Sequence, residues 1–347
     1  FKKKILCNKL KKRIGFSFRP TFSLKTPGVL EVIRLMWPRT LSLAIFQIGT
    51  IITVTLISFL TSPGRSYVIF DYAQTLSFAP VVLFGQAIAQ AAFPILARER
   101  DRIEDFKSTF ITSFYQMLYL VLPISVLFIV LRIPVVRLIY GAAQFDWQAT
   151  VLTGKTLAFF SISIFAQALI YLISRGFYAL HDTKIPLIVG TVTTAFMIIL
   201  GTLFVFVKDL RFGLEGVESI AIAYSIANIL NVLILFVLLD RKVGGFEKKS
   251  LILSLLKIGV ASVLTGFALY IPIKLLDQLV FDTTRTVNLI LLTGISSFAG
   301  LSFYLFLTWL FNVKEATYFL FLFKRIGDWR QILGKSDEVI DGTRFKP

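Results

Sequence analysis

Long apolar runs alternate with short charged breaks along this chain. Eight apolar segments follow one another, at about 40–61, 68–96, 109–131, 150–173, 185–207, 217–239, 251–272 and 287–311. Each is long enough for a helix to cross a hydrocarbon layer, which takes about 20 residues. The pattern predicts an all-α integral membrane fold of eight transmembrane helices, because backbone groups in lipid must be satisfied within the segment. The second segment is unlike a plain lipid-facing helix. From Tyr72 to Pro94 it has no charge, yet it holds Gln74, Gln86, Gln90 and Pro80. An unpartnered amide in apolar surroundings costs roughly 2–7 kcal/mol, and proline removes a backbone donor. At 3.6 residues per turn, Thr75, Ala79, Val82, Gln86, Ala89, Gln90 and Phe93 fall on one side. Two readings follow. The side glues neighbouring helices through amide hydrogen bonds, or it lines a wet central cavity beside a broken helix. Gly85-x3-Ala89 and Ala87-x3-Ala91 add small-residue spacings that let backbones approach closely.

Other helices carry their own polar residues. Gln47 sits in the first segment with Thr50, Thr53 and Thr55; threonine hydroxyls can bond the carbonyl one turn back, whereas Gln47 is expected to face protein. Lys155 lies one turn inside the fourth segment, placed to snorkel to the interface. Asn228 and Asn231 lie three apart on the sixth, where interhelical bonding is expected. Between the fourth and fifth, Asp182 or Thr183 can cap the next helix, and the single histidine, His181, reads as a loop residue. After the eighth, Ala316 to Leu333 fits a helix lying on the membrane surface.

Composition fits the same class. Of 347 residues 56% are hydrophobic, and the mean hydropathy is +0.78. A net charge of +17 could point to nucleic acid, but its distribution does not. When alternate connections are assigned to alternate sides, twenty-eight Lys and Arg fall on one side and seven on the other. That asymmetry predicts that both ends of this stretch are cytoplasmic and that the excess faces anionic headgroups. Cys7, the lone cysteine, cannot pair within the chain. No hydrolase triad, phosphate-binding glycine loop, metal cluster or carboxylate pair is evident in the sequence, so no enzyme, cofactor or metal site is expected.

Four stretches then resemble one family. They are Pro38 to Gln47 (PRTLSLAIFQ), Tyr72 to Pro94, Tyr140 to Asp146 (YGAAQFD), and Arg175 to Pro186 (RGFYALHDTKIP). In order and spacing they are similar to the MurJ/MviN lipid II flippases, of the superfamily that includes MATE multidrug and polysaccharide exporters. The resemblance implies fourteen helices in two six-helix lobes plus a final pair, of which this chain looks like the last eight, with an N-terminal lobe preceding Phe1. It implies this organisation: 1–27 a basic inter-lobe connector, 28–240 the C-terminal lobe, 241–311 two added helices forming a lipid-tail groove, and 312–347 an interfacial helix and tail. It implies alternating access of an undecaprenyl-linked precursor in the bacterial inner membrane, with membrane lipids and cell-wall synthesis proteins as partners. The substrate path would include Arg39, Gln47, Gln74, Thr75, Gln86, Gln90, Arg175 and Asn228. At Thr75 the family commonly has arginine, and at Thr53 some members have a sodium-binding aspartate. Polysaccharide-lipid or drug export, or a non-transporting scaffold of cell-wall enzymes, are the alternatives.

Overall fold

The structure is a computed structural model describing residues 29–141, 145–207, 216–279 and 286–316. The connector at 1–27, residues 142–144 of the Tyr140–Asp146 turn and the interfacial helix and tail after 316 lie outside the described residues. Within them the fold is helical: α1 (Val29–Ser58), α2 (Pro63–Pro80), α3 (Ala87–Glu99), α4 (Ile103–Val130), α5 (Arg132–Tyr140), α6 (Trp147–Ser161), α7 (Ile164–Ala179), α8 (Lys184–Phe206), α9 (Val217–Lys242), α10 (Lys248–Leu279) and α11 (Thr286–Leu310). Six stretches are long and apolar enough to cross a membrane, and α6 with α7 makes a seventh if that pair, bent by 41°, is one span. The apolar part of α1 is shorter, Ala44–Ser58.

The bend between α6 and α7 falls in the middle of the expected 150–173 segment. Serines cause it. Ser161 and Ser163 hydroxyls donate to the Leu157 and Phe160 carbonyls at 2.7 and 3.0 Å. Such bonds compete with the helical ladder and bend it. From α9, Ser225 donates to the freed Phe159 carbonyl at 2.7 Å, and the Gln167 amide reaches Ser163 Oγ at 3.2 Å. Threonines along α1 behave as expected for lipid-compatible hydroxyls: Thr50, Thr53 and Thr55 each bond the carbonyl four residues back.

The irregularity in the second segment is more than a proline kink. Pro80 ends α2, and Val81–Gln86 forms a π-helical stretch that leads directly into α3. Without an amide hydrogen at Pro80 the normal ladder cannot continue. A wider turn absorbs one extra residue and rotates everything after it. The single face drawn at 3.6 residues per turn is therefore split. Thr75, Ala79, Val82 and Gln90 are exposed, but Ala89 is fully buried and Phe93 turns partly inward. Of the two small-residue spacings, only Gly85-x3-Ala89 is used. A Cβ on Gly85 would stand 2.8 Å from Ala168 Cβ and 2.9 Å from Ala168 Cα, on α7. Ala87 and Ala91 face outward.

The largest buried cluster joins α3, α4, α7 and α9 through Leu96, Phe106, Phe110, Phe177 and Leu239. A second joins α1, α2, α6 and α9. Helices α10 and α11 pack onto α4. The Tyr304 hydroxyl donates to the Tyr119 carbonyl at 2.8 Å, and a Cβ on Gly266 would meet Val126 at 2.5 Å.

Candidate functional site

Between these two clusters, α1, α2, α7, α8 and α9 enclose a cavity of about 820 Å³. Each wall is a stripe at helical spacing. From α2 come Tyr67, Phe70, Asp71, Gln74 and Phe78; from α7 come Gln167, Ile170, Tyr171, Ser174, Arg175 and Tyr178. Helix α9 adds Tyr224, Asn228 and Asn231, and α8 adds a threonine-rich face that includes Thr193. On α1 the lining runs from Met36 to Val54, about 27 Å of helix at 1.5 Å per residue. The cavity is thus a slot nearly as long as a bilayer core is thick.

The lining is mostly apolar, with threonines, tyrosines and amides set into it, and its charged groups lie at its two ends. Asp71 lies toward the end where Arg65 grips Asp146 through two hydrogen bonds, at 2.9 and 2.8 Å. Tyr72 stacks on Tyr140 there, with ring centroids 4.0 Å apart. Asp146 also caps α6 by accepting from the Ala149 amide at 2.9 Å. At the opposite end Arg175 lies over the Phe93 ring, 5.7 Å from its centroid. His181 is beside it in the lining, held in the left-handed region at φ 57°. Its Nε2 lies 2.6 Å from Arg100 Nη1. A guanidinium only donates, so His181 Nε2 is the acceptor in this contact.

The turn at this end is held by Asp182. It caps α8 by accepting from the Lys184 and Ile185 amides at 3.2 and 3.3 Å, and it pairs with Lys242 of α9. Partial burial opposes ionisation of Asp182, but the Lys242 ammonium and the two amides outweigh it and hold the carboxyl below its usual value. A lowered carboxyl stabilises the fold at every pH above its unfolded value, about 3.9, and the contribution disappears as pH falls through the lowered one. Asp182→Asn is therefore expected to lower stability by about 1 kcal/mol at pH 7. That deficit should stay level down to pH 5 and shrink below pH 4. Thermal melts across that range check it; a deficit that changes between pH 8 and 6 contradicts it.

The sequence-nominated residues separate into groups. Gln74, Arg175 and Asn228 line the slot. Gln74 and Asn228 side chains both meet the Tyr224 hydroxyl, and the Asn228 amide also bonds the Tyr224 carbonyl at 2.9 Å. Asn231 makes the interhelical bond expected of this pair, to Thr193 at 2.8 Å. Thr75 and Gln90 are exposed on the outer side of the second segment, with Gln86 half-buried between them. Neither Gln86 nor Gln90 hydrogen-bonds to another described residue. Gln47, expected to face protein, is exposed on α1 outside the slot. Its side of α1 points away from α8, the helix α1 packs against through Gly49 and Thr194. Lys155 is exposed and outside the slot. The Arg39 side chain lies outside the described residues. Asp71, Tyr171 and Ser174 were missed; each belongs to a stripe visible as i, i+3, i+4 spacing. Among described residues no cluster of three or more His, Cys, Asp or Glu could hold a metal.

Comparison with known proteins agrees with this architecture. The family model for lipid II flippase MurJ matches residues 9–289. A probable lipid II flippase MurJ of Bdellovibrio bacteriovorus is 24% identical over 290 residues, covering 82% of this chain and 53% of that protein. The Rhizobium meliloti protein of the same description is 28% identical over 280 residues, covering 80% and 49%. The chain spans about half the length of the curated relatives it matches. Among solved structures, a lipid II flippase MurJ in an inward closed conformation superposes with a TM-score of 0.65 at 23% identity, over 89% of this chain and 59% of that one. A MATE transporter gives 0.52 at 13% identity, over 82% and 67%. The family match spans well over half of the sequence, and it carries the assignment: the chain belongs to the lipid II flippase MurJ family.

Proposed function

We propose that the full-length protein moves an undecaprenyl-linked peptidoglycan precursor, lipid II, across the bacterial inner membrane for cell-wall synthesis. The observation that carries this reading is the slot: about 27 Å long and mostly apolar, with polar side chains set along it and Arg175 at one end. An anionic headgroup needs a cationic contact and polar groups along its path to cross a low-dielectric layer. The slot offers Arg175 for the first, and Gln74, Ser174, Asn228, Asn231 and its threonines for the second.

In this reading α1 to α9 form the C-terminal lobe, with α1 as a first span and α6–α7 as one broken span. Eight spans result, with both ends of the stretch cytoplasmic, so that Arg175 and His181 lie at the inner mouth. The exposed side bearing Thr75, Gln86 and Gln90 would front a preceding lobe. Helices α10 and α11 would border the lipid tail, and cell-wall synthesis proteins are natural partners of the product.

Complementation tests it. The full-length gene should restore growth to a bacterium depleted of its own lipid II flippase. Lysis despite normal membrane levels of the protein contradicts the reading and favours export of another amphiphile.

A further inference from the structure

Asp71 has no role in the reading above. It is the single carboxylate among the described residues lining the slot, and it lies at the end opposite Arg175. Its side chain is exposed to the slot and has no hydrogen bond or ion pair with any described residue. Arg65, six residues earlier on the same helix, is paired with Asp146 and does not neutralise it. Around Asp71 on the α2 stripe are two aromatic rings, Tyr67 and Phe70, and the Gln74 amide. The slot is therefore polarised lengthwise, acidic at one end and basic at the other.

We infer that Asp71 reads a primary ammonium group on the transported lipid's headgroup, while the headgroup's anionic part faces Arg175. This rests on the lipid-flippase reading. An ammonium suits the surroundings better than a metal ion. A metal needs several oxygens at fixed distances, whereas an ammonium is satisfied by one carboxylate, a neutral acceptor such as the Gln74 carbonyl and the faces of aromatic rings. The two charged ends also fix direction: a ligand positive at one extremity and negative at the other enters the slot in one orientation, and the reversed one sets like charges against each other. Asp71 is thus a specificity-determining residue that favours headgroups with a free amine over acylated ones.

The test compares two lipid II samples in nanodiscs holding the full-length protein. In one the stem peptide carries a lysine with a free ε-amine; in the other that amine is acetylated. Acetylation should weaken binding to the native protein about tenfold, the scale of one charge-assisted hydrogen bond. Asp71→Asn should weaken binding of the free-amine lipid by a similar factor and abolish the difference between the two samples. Equal binding of both by the native protein overturns the proposal. So does a difference that persists in Asp71→Asn, or an Asp71 effect that depends only on sodium. If neither lipid binds, the flippase reading fails, and a second measurement still decides the site. Thr50→Cys, in an otherwise cysteine-free background, should react several-fold faster with a cationic than with an anionic methanethiosulfonate. Asp71→Asn should remove that preference; an unchanged ratio overturns the cation site.

Discussion

Gly85→Ala is expected to destabilise the protein by about 3 kcal/mol, the upper end of what overpacking costs. The reason is where the added methyl would go. It meets Ala168 Cβ at 2.8 Å and Ala168 Cα at 2.9 Å, both tighter than side chains tolerate. A flexible side chain could rotate away, but a backbone atom of α7 cannot. The π stretch and α3 must therefore shift away from α7, opening the cluster around Leu96 and Phe177. Ala168→Gly in the same protein should restore part of the loss, since it removes the Cβ contact and leaves the Cα one. Gly85→Leu should give little folded protein. Thermal melts in detergent decide it. An unchanged melting temperature for Gly85→Ala would show that α3 and α7 are not seated as described.

Arg175→Gln is expected to abolish rescue of a flippase-depleted strain while the protein reaches the membrane at normal levels. Arg175 faces the slot at its basic end and lies against the Phe93 ring. Hydrogen bonds to charged groups contribute about 1.5–3 kcal/mol, so lipid II binding should fall roughly ten- to hundredfold. Arg175→Lys should recover part of this: the charge remains, but the planar fork that matches phosphate and stacks on a ring is lost. Phe93→Leu should weaken binding less than Arg175→Gln, because it loosens the guanidinium without removing it. Normal growth supported by Arg175→Gln would end the assignment of this residue to the substrate path.

Much of the site was readable in one dimension. Arg175, Gln74 and Asn228 were legible because charged or amide side chains in apolar helices must find polar surroundings. The stripe Tyr67, Phe70, Asp71, Gln74, Phe78 was equally legible, but it starts ahead of the uncharged run at Tyr72, and so Asp71 fell outside it. The amides further along the second segment were harder. A 3.6-residue period placed Ala89 and Phe93 beside Gln86, and the π stretch after Pro80 rotated them apart.

By itself the sequence determined the class of protein and the approximate extent of the apolar helices, and it narrowed the cap of α8 to Asp182 or Thr183. These follow from local rules: hydropathy over a span and side-chain capping. Only the tertiary structure decided which face of each helix lines a slot, that Gly85 rather than Ala87 carries the close contact, and that the fourth segment breaks at its serines. Those outcomes depend on what lies opposite. Ser225 on α9 supplies the hydroxyl that satisfies the carbonyl freed at the break, and Ala168 on α7 leaves no room for a side chain at 85. A helix period fixes which residues share a side; the neighbouring helix fixes what that side touches.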